Sequence, residues 1–269
     1  MHKNSTHLVR EAGTQLLEKA HIYEAELSLD PAVQQSAPLC AQLDADRSLA
    51  VLLSIFLPQL TLDEQAIKLQ VNTGAGGCFP MHFDSDETLD GRRVTCIFYL
   101  NPGWAHGNGG ELRLYPFPRG PPIDIAPLGN RLVLFASTRM VHRVLPSAAA
   151  ERACFTIWLS QSRRRPRAPT RALSDLARAA DPSDHAGAAA ALLLLPAVRK
   201  HVVRLVYASE WARSIEESHP EGRGRDEAVA QHWREVDIIR RALKDYLPAI
   251  AALERSAEDG GAKHSVAWL

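Results

Sequence analysis

Hydrophobic and polar positions change rhythm twice along the chain and divide it into three stretches. Up to about residue 64 the pattern reads as helix. "HLVREAGTQLLEKAHIYEAEL" is rich in helix formers, with Leu8, Ala12, Leu16 and Ala20 marking one face. "RSLAVLLSIFLPQL" predicts a buried helix stopped near Pro58. From Gln65 to Gln161 the apolar residues fall in short runs rich in β-formers: "AIKLQV", "RVTCIFYL", "ELRLYP", "PIDIAP", "RLVLFAS", "HRVLP" and "ACFTIWL". "NTGAGG", "NPGWAHGNGG" and "PLGN" separate them as turns, a spacing that predicts a sandwich or jelly roll. No helix-length segment interrupts these runs, which argues against a parallel α/β sheet. After "SRRRPRAPTR" the helical rhythm returns. Val202, Leu205 and Val206 mark one long segment, and Val229, Trp233, Val236, Ile239 and Leu243 another. These helices pack on each other or on the β-rich block, or form an arm for a partner. The expected fold class is α+β: 1–64 a helical frame, 65–161 a β-rich domain, 162–269 a basic linker and helical extension.

Chemistry concentrates in the middle stretch. "MHFDSD" places His82 and Asp84 two apart, and on a strand such residues share a face. His142 follows sixty residues after His82, and Arg152 ten further on. Two imidazoles and one carboxylate on one octahedral face leave three positions open, as in non-haem iron(II) oxygenases. Those positions suit a bidentate 2-oxo acid and dioxygen. A dicarboxylate cosubstrate would then need a cation for its far end. In "RACFTIWL", strand parity puts Arg152, Cys154, Thr156 and Trp158 on one face. The guanidinium fork matches a carboxylate, and Thr156 adds a hydroxyl donor. In "RVTCIFYL", Thr95, Ile97 and Tyr99 share a face, so Tyr99 can offer a phenol to the same carboxylate. Singly, each has a plain reading: a loop residue for His82 or Asp84, a surface or core histidine for His142, an ion pair with Glu151 for Arg152, packing for Tyr99. Their joint order on strand-like segments favours one site. His106, in a Gly-rich loop, and His201 and His232, on helices, add nothing to it.

Charge and cysteine usage narrow the setting. Thirty-one basic residues balance thirty-one acidic ones, so no global field favours nucleic acid or an anionic membrane. The basic run Arg163–Arg167 reads as a solvated linker, with nuclear import or polyanion binding as the alternative. Cys40, Cys78, Cys96 and Cys154 form no Cys-x-x-Cys pair, and the first residues lack a signal-peptide apolar core. Leu49–Leu57 and Ala188–Leu195 are far shorter than the ~20 residues a bilayer requires. The expectation is an intracellular, cytoplasmic protein, with a nuclear location left open and no membrane or nucleic-acid partner.

"HFDSDETLDGRRVTCIFYLN", "GGELRLYP", "IAPLGNRLVLFAS" and "VHRVLPSAAAERACFTIWL" carry a specific resemblance. Residues about 66–161 resemble the catalytic domain of 2-oxoglutarate- and iron(II)-dependent dioxygenases of the prolyl 4-hydroxylase superfamily, most like the hypoxia-inducible-factor (Egl-nine-type) prolyl hydroxylases. The resemblance implies a double-stranded β-helix framed by helices, with His82, Asp84 and His142 as ligands of Fe(2+). It implies that Arg152 binds the distal carboxylate of 2-oxoglutarate, with Tyr99 hydrogen-bonding it and Thr156 nearby. Arg92 and Trp158 match positions lining the substrate entrance. Asn72 stands where the hypoxia-type enzymes have a tyrosine, which implies a wider, more polar pocket with an amide available to cosubstrate or substrate. Dioxygen is the further cosubstrate, L-ascorbate the reductant, and a proline-containing peptide or protein the expected substrate. The same chemistry on another residue or a small molecule is the alternative, and a non-catalytic partner-binding scaffold a third. The "NPGWAHGNGG" hairpin is one residue shorter than the family pattern, and nothing before about residue 65 matches the family's mobile loop.

Overall fold

The computed structural model describes residues 1–10, 13–27, 31–86, 90–117, 121–162, 172–178 and 181–258. The basic run Arg163–Arg167 and the closing residues 259–269 lie outside these.

The chain opens with strands. β1 (His2–Arg10) and β2 (Gly13–Glu26) form an antiparallel hairpin where the sequence predicts a helix. Helix propensity contributes only tenths of a kcal/mol per residue. Pairing of β2 along β3 (Glu64–Asn72) outweighs it, from Ile22 opposite Asn72 to Glu26 opposite Lys68. Ile22 and Ala25 are buried by this pairing, while Leu16, expected on the buried helix face, is 58% exposed. Gly13 and His21 take positive φ, +128° and +58°, which a helix cannot hold.

Helices follow as predicted after this hairpin: α1 (Pro31–Ser36), α2 (Pro38–Ala45) and α3 (Ser48–Phe56), the last ending two residues before Pro58. α3 is not the buried helix expected. Leu49, Ala50 and Leu53 pack inward, and Val51, Leu52, Ile55 and Phe56 face out.

The β-rich stretch supplies β4 (Gly77–His82), β5 (Arg92–Tyr99), β6 (Leu112–Tyr115), β7 (Ile123–Ile125), β8 (Leu132–Ala136), β9 (Val141–Ser147) and β10 (Arg152–Ser160). They form two antiparallel sheets, ordered β1-β2-β3-β10-β5-β8 and β4-β9-β6-β7, consistent with a jelly roll. The N-terminal hairpin extends the larger sheet, so that sheet runs across the expected boundary at residue 64.

Strand alternation sorts the cores. Ile97, Tyr99 and Cys154 of the large sheet meet Phe79, Leu112 and Val144 of the small one between the sheets. Their neighbours Val94, Cys96, Ile157 and Leu159 point the other way, onto α3 and Leu62. The outer face of the small sheet is covered by the C-terminal helices, where Met81, Tyr115 and Val141 pack with Val203 and Trp211. Those helices are α4 (Leu173–Ala177), α5 (His185–Leu194), α6 (Pro196–Val206), α7 (Ala208–Ser218), α8 (Arg223–Ala242) and α9 (Leu247–Glu258). The long segment expected from Leu195 is broken at Tyr207, which lets α7 turn onto β4. None of the described helices is long and apolar enough to cross a membrane. The four cysteines are free thiols, and burial pushes Cys78 and Cys96 up to about 12.

Candidate metal centre and cosubstrate pocket

His82 is the last residue of β4 and lies directly opposite His142 on β9. Asp84 sits two residues past the strand end, a departure from the continuous strand expected. Its position comes from the neighbouring strand: Thr95 donates from Oγ1 to Asp84 Oδ2 at 2.6 Å, and Arg92 Nη1 donates to the Asp84 carbonyl at 3.3 Å. Asp84 Oδ1 is 3.3 Å from His82 Nε2 and 3.7 Å from His142 Nε2. One ligand atom from each of the three falls within 4.8 Å of the others, which fits a single metal ion. His142 is buried and His82 is partly exposed, so the centre opens on one side.

Backbone carbonyls set the tautomers. His82 Nδ1 lies 2.8 Å from Pro80 O, and His142 Nδ1 lies 3.1 Å from Met140 O. A carbonyl only accepts, so each Nδ1 carries the proton and each Nε2 lone pair faces the centre. Burial holds the His142 imidazole down to about 4, with His82 adding to it against the pull of Asp84, so His142 is a neutral ligand at pH 7. Burial would raise the Asp84 carboxyl, but His142, His82 and Thr95 outweigh it and hold the group below the usual carboxylate range. Thr95 Oγ1 is also 2.8 Å from Ser137 Oγ, so two hydroxyls steady the carboxylate. Thr95→Val, which removes that hydrogen bond, is expected to weaken divalent-metal affinity about tenfold, measured by calorimetry.

Deeper between the sheets lies Arg152, 1% exposed, with no carboxylate partner among the described residues. Nε donates to Gly110 O at 2.7 Å, and Nη1 is 3.9 Å from Cys154 Sγ, so the guanidinium lies along β10 beside Cys154. Gly110 has φ +76°, and a Cβ there would lie 2.7 Å from Arg152 Cδ, so both the turn and the arginine require glycine. The guanidinium stands over the Tyr99 ring, 5.2 Å from its centroid. The Tyr99 hydroxyl is buried without a hydrogen-bond partner among the described residues, and burial keeps the phenol protonated as a donor. A buried cation without an acid and an orphaned phenol are costly features for a closed core. Both are satisfied by an anion with carboxylate oxygens, so the residues present fit the 2-oxoglutarate expected there. Thr156 Oγ1 donates to Gln70 Oε1 at 3.0 Å, and Cys154 Sγ, the sulfur nearest the Arg152 guanidinium, lies 3.8 Å from the same oxygen.

A cavity of about 640 Å³ connects the centre to solvent. His82, Asp84, His142, Thr156, Arg92 and Trp158 line it; Tyr99 and Arg152 lie beneath this lining. Arg92 stacks on Trp158 at 4.3 Å, forming the mouth, and Lys68 stands 5.6 Å from the same ring. Asn72 does not line the cavity either: wholly buried and opposite Arg152 in the ladder, it donates from Nδ2 to Gly77 O at 3.0 Å.

Several lining residues escaped the sequence reading. Gln70 had a signal, since strand parity with Lys68 and Asn72 puts it opposite Cys154. Lys19 of β2 and Arg204 and Trp211 of the C-terminal helices had none, because they belong to other stretches of the chain, and His232, set aside in the sequence, lines the cavity as well. Burial lowers Lys19 to about 8, against the opposing pull of Glu24. With the folded value below the ordinary 10.5, the unfolded chain binds more protons between pH 8 and 10.5, so stability rises with pH in that window. Comparison of melting temperatures with Lys19→Met is expected to show this rise in wild type and its absence in the variant.

Two histidines and a carboxylate at the open end of a two-sheet antiparallel core that also buries a guanidinium define a non-haem iron(II) oxygenase type of site. The sequence profile of the 2OG-Fe(II) oxygenase superfamily matches residues 67–160. A crystallographically determined prolyl 4-hydroxylase from Phytophthora capsici is 35% identical and superposes with a TM-score of 0.67, over 87% of this chain and 76% of that one. The chain belongs to the 2OG-Fe(II) oxygenase superfamily. Egl nine homolog 1 of Rattus norvegicus is 37% identical over 102 residues, 38% of this chain and 30% of that protein. The hypoxia-inducible factor prolyl hydroxylase of Caenorhabditis elegans is 38% identical over 102 residues, 37% of this chain and 14% of that protein. The chain therefore spans less than a third of the length of these two curated relatives.

Proposed function

We propose that this protein is an Fe(II)- and 2-oxoglutarate-dependent dioxygenase that hydroxylates proline in an intracellular peptide or protein, with L-ascorbate as reductant. One observation carries the reading: one core holds three ligand atoms within 4.8 Å of one another and a buried Arg152 without an acid among the described residues. His82, Asp84 and His142 would hold the metal, and Arg152, Tyr99 and Thr156 the distal carboxylate of the cosubstrate. When bound, metal and cosubstrate supply the activation of dioxygen for insertion into a C–H bond. The protein's residues do the positioning. The fixed tautomers aim both imidazoles, Thr95 orients the carboxylate, and the apolar lining of Ile97, Leu112 and Val144 keeps water from the reacting face. Arg92 and Trp158 would receive the substrate at the mouth. The four free thiols support an intracellular setting.

In domain terms we read residues 65–161 as the double-stranded β-helix core, 1–64 as a frame whose hairpin continues its larger sheet, and 162–269 as a basic linker and helical extension. The likeness to the prolyl 4-hydroxylase of Phytophthora capsici supports proline as the target. The test is a proline-peptide library incubated with iron(II), 2-oxoglutarate and ascorbate, read by succinate release and mass spectrometry. A product heavier by one oxygen on proline is the expected result. Succinate release coupled to a different residue or to a small molecule would replace proline as the substrate. Absence of substrate-coupled turnover across all probes, in enzyme shown to bind iron, would favour a scaffold.

A further inference from the structure

Each proposed metal ligand has a chain neighbour anchored to the C-terminal helices. Beside His82, the Met81 backbone N–H donates to Ser214 Oγ of α7 at 2.9 Å, and Ser214 is itself fully buried, donating to Trp211 O at 2.6 Å. Two residues after Asp84, Asp86 is ion-paired with Lys200 of α6. Beside His142, Arg143 is 2% exposed and ion-paired with Glu217 of α7. These three anchors come from one helical unit and reach two segments separated in sequence, residues 81–86 and residue 143. Strand alternation explains the arrangement. His142 points between the sheets, so Arg143 must point out of the small sheet, toward the helix that covers it. The apolar contacts of Met81 and Val141 with Trp211 and Val203 bind the same face.

We propose that α6 and α7 form a brace that sets the spacing of the metal ligands. Ser214, Lys200 and Glu217 are thus positioning residues for a centre they do not touch. The inference rests on the metal-site reading above. Its physical basis is pre-organisation. Ligands already held at the metal's distances need not be ordered at the moment of binding, whereas loosened ones must be. Glu217 matters most, because Arg143 is a buried guanidinium whose strand position depends on a partner outside the sheet.

The test uses the full chain and cobalt(II), measuring affinity by calorimetry and the melting temperature of metal-free protein separately. Wild type is expected to bind cobalt(II). Ser214→Ala combined with Glu217→Gln is expected to weaken binding about tenfold, the lower end of what losing a ligand-orienting partner costs. Lys200→Met should weaken it severalfold, and Lys200→Arg, which keeps the cation, should restore it. The control is Val198→Ala, in the apolar core that α6 shares with Ile239 and Leu243, away from the ligand strands. It should lower the melting temperature and leave cobalt affinity unchanged. Unchanged affinity in the double variant, or an equal loss in Val198→Ala, would overturn the brace while leaving the metal site standing. Failure of wild type to bind cobalt(II) would overturn the site reading and the brace together.

Discussion

Asp84→Asn is expected to abolish the visible charge-transfer absorption that iron(II) and 2-oxoglutarate should give the wild-type protein without oxygen. The substitution keeps the size of the side chain and an oxygen for Thr95, so its effect isolates the charge. Affinity for iron(II) should fall by more than about a hundredfold, beyond what loss of an orienting partner costs. The same variant carries a pH signature in metal-free protein. Asp84 is held below the usual carboxylate range when folded, so the stability it contributes is present above about pH 4 and fades as pH falls through the lowered value. Asp84→Asn removes that acid sensitivity, and unfolding curves taken between neutral and acid pH will show it. Retention of the absorption band would take Asp84 out of the ligand set.

The second large effect belongs to Arg152. Arg152→Met is expected to leave metal binding intact and to weaken 2-oxoglutarate binding severely. Breaking a buried charge pair costs about 3–5 kcal/mol, which is roughly a hundredfold to more than a thousandfold in affinity. Arg152→Lys keeps the charge without the fork and should lose less. The protein without cosubstrate should keep or gain stability in Arg152→Met, because the variant removes a buried cation that lacks an acid among the described residues. Opposite movements of stability and cosubstrate affinity would be hard to obtain from misfolding. Unchanged 2-oxoglutarate affinity would assign the guanidinium to packing alone.

The centre was legible because strand parity is local. Arg152, Cys154, Thr156 and Trp158 alternate with Ala153, Phe155, Ile157 and Leu159, and the fold places the first set with the site and Ile157 and Leu159 on the opposite core. Thr95, Ile97 and Tyr99 behaved the same way. Parity did not reach Asp84, because the strand ends at His82 and hydrogen bonds from another strand hold the carboxylate instead. Helical rhythm misled at residues 2–26. The segment has the composition of a helix, yet the open edge of β3 offered ladder hydrogen bonds and burial for Ile22 that no local rule registers. α3 failed in the other direction: its composition announces burial, but β-sheet covers only one of its faces.

Residue types and two-residue spacing were enough to point to the cluster of His82, Asp84 and His142, the buried Arg152 and the inward face of each central strand, since these depend on short-range geometry and on which atoms can serve as donors. The hairpin that widens the large sheet and the helices that wall the cavity and hold Met81, Asp86 and Arg143 came from contacts between distant segments. Such contacts are chosen by which surfaces remain uncovered once the rest of the chain has folded, and that is a property of the assembled molecule.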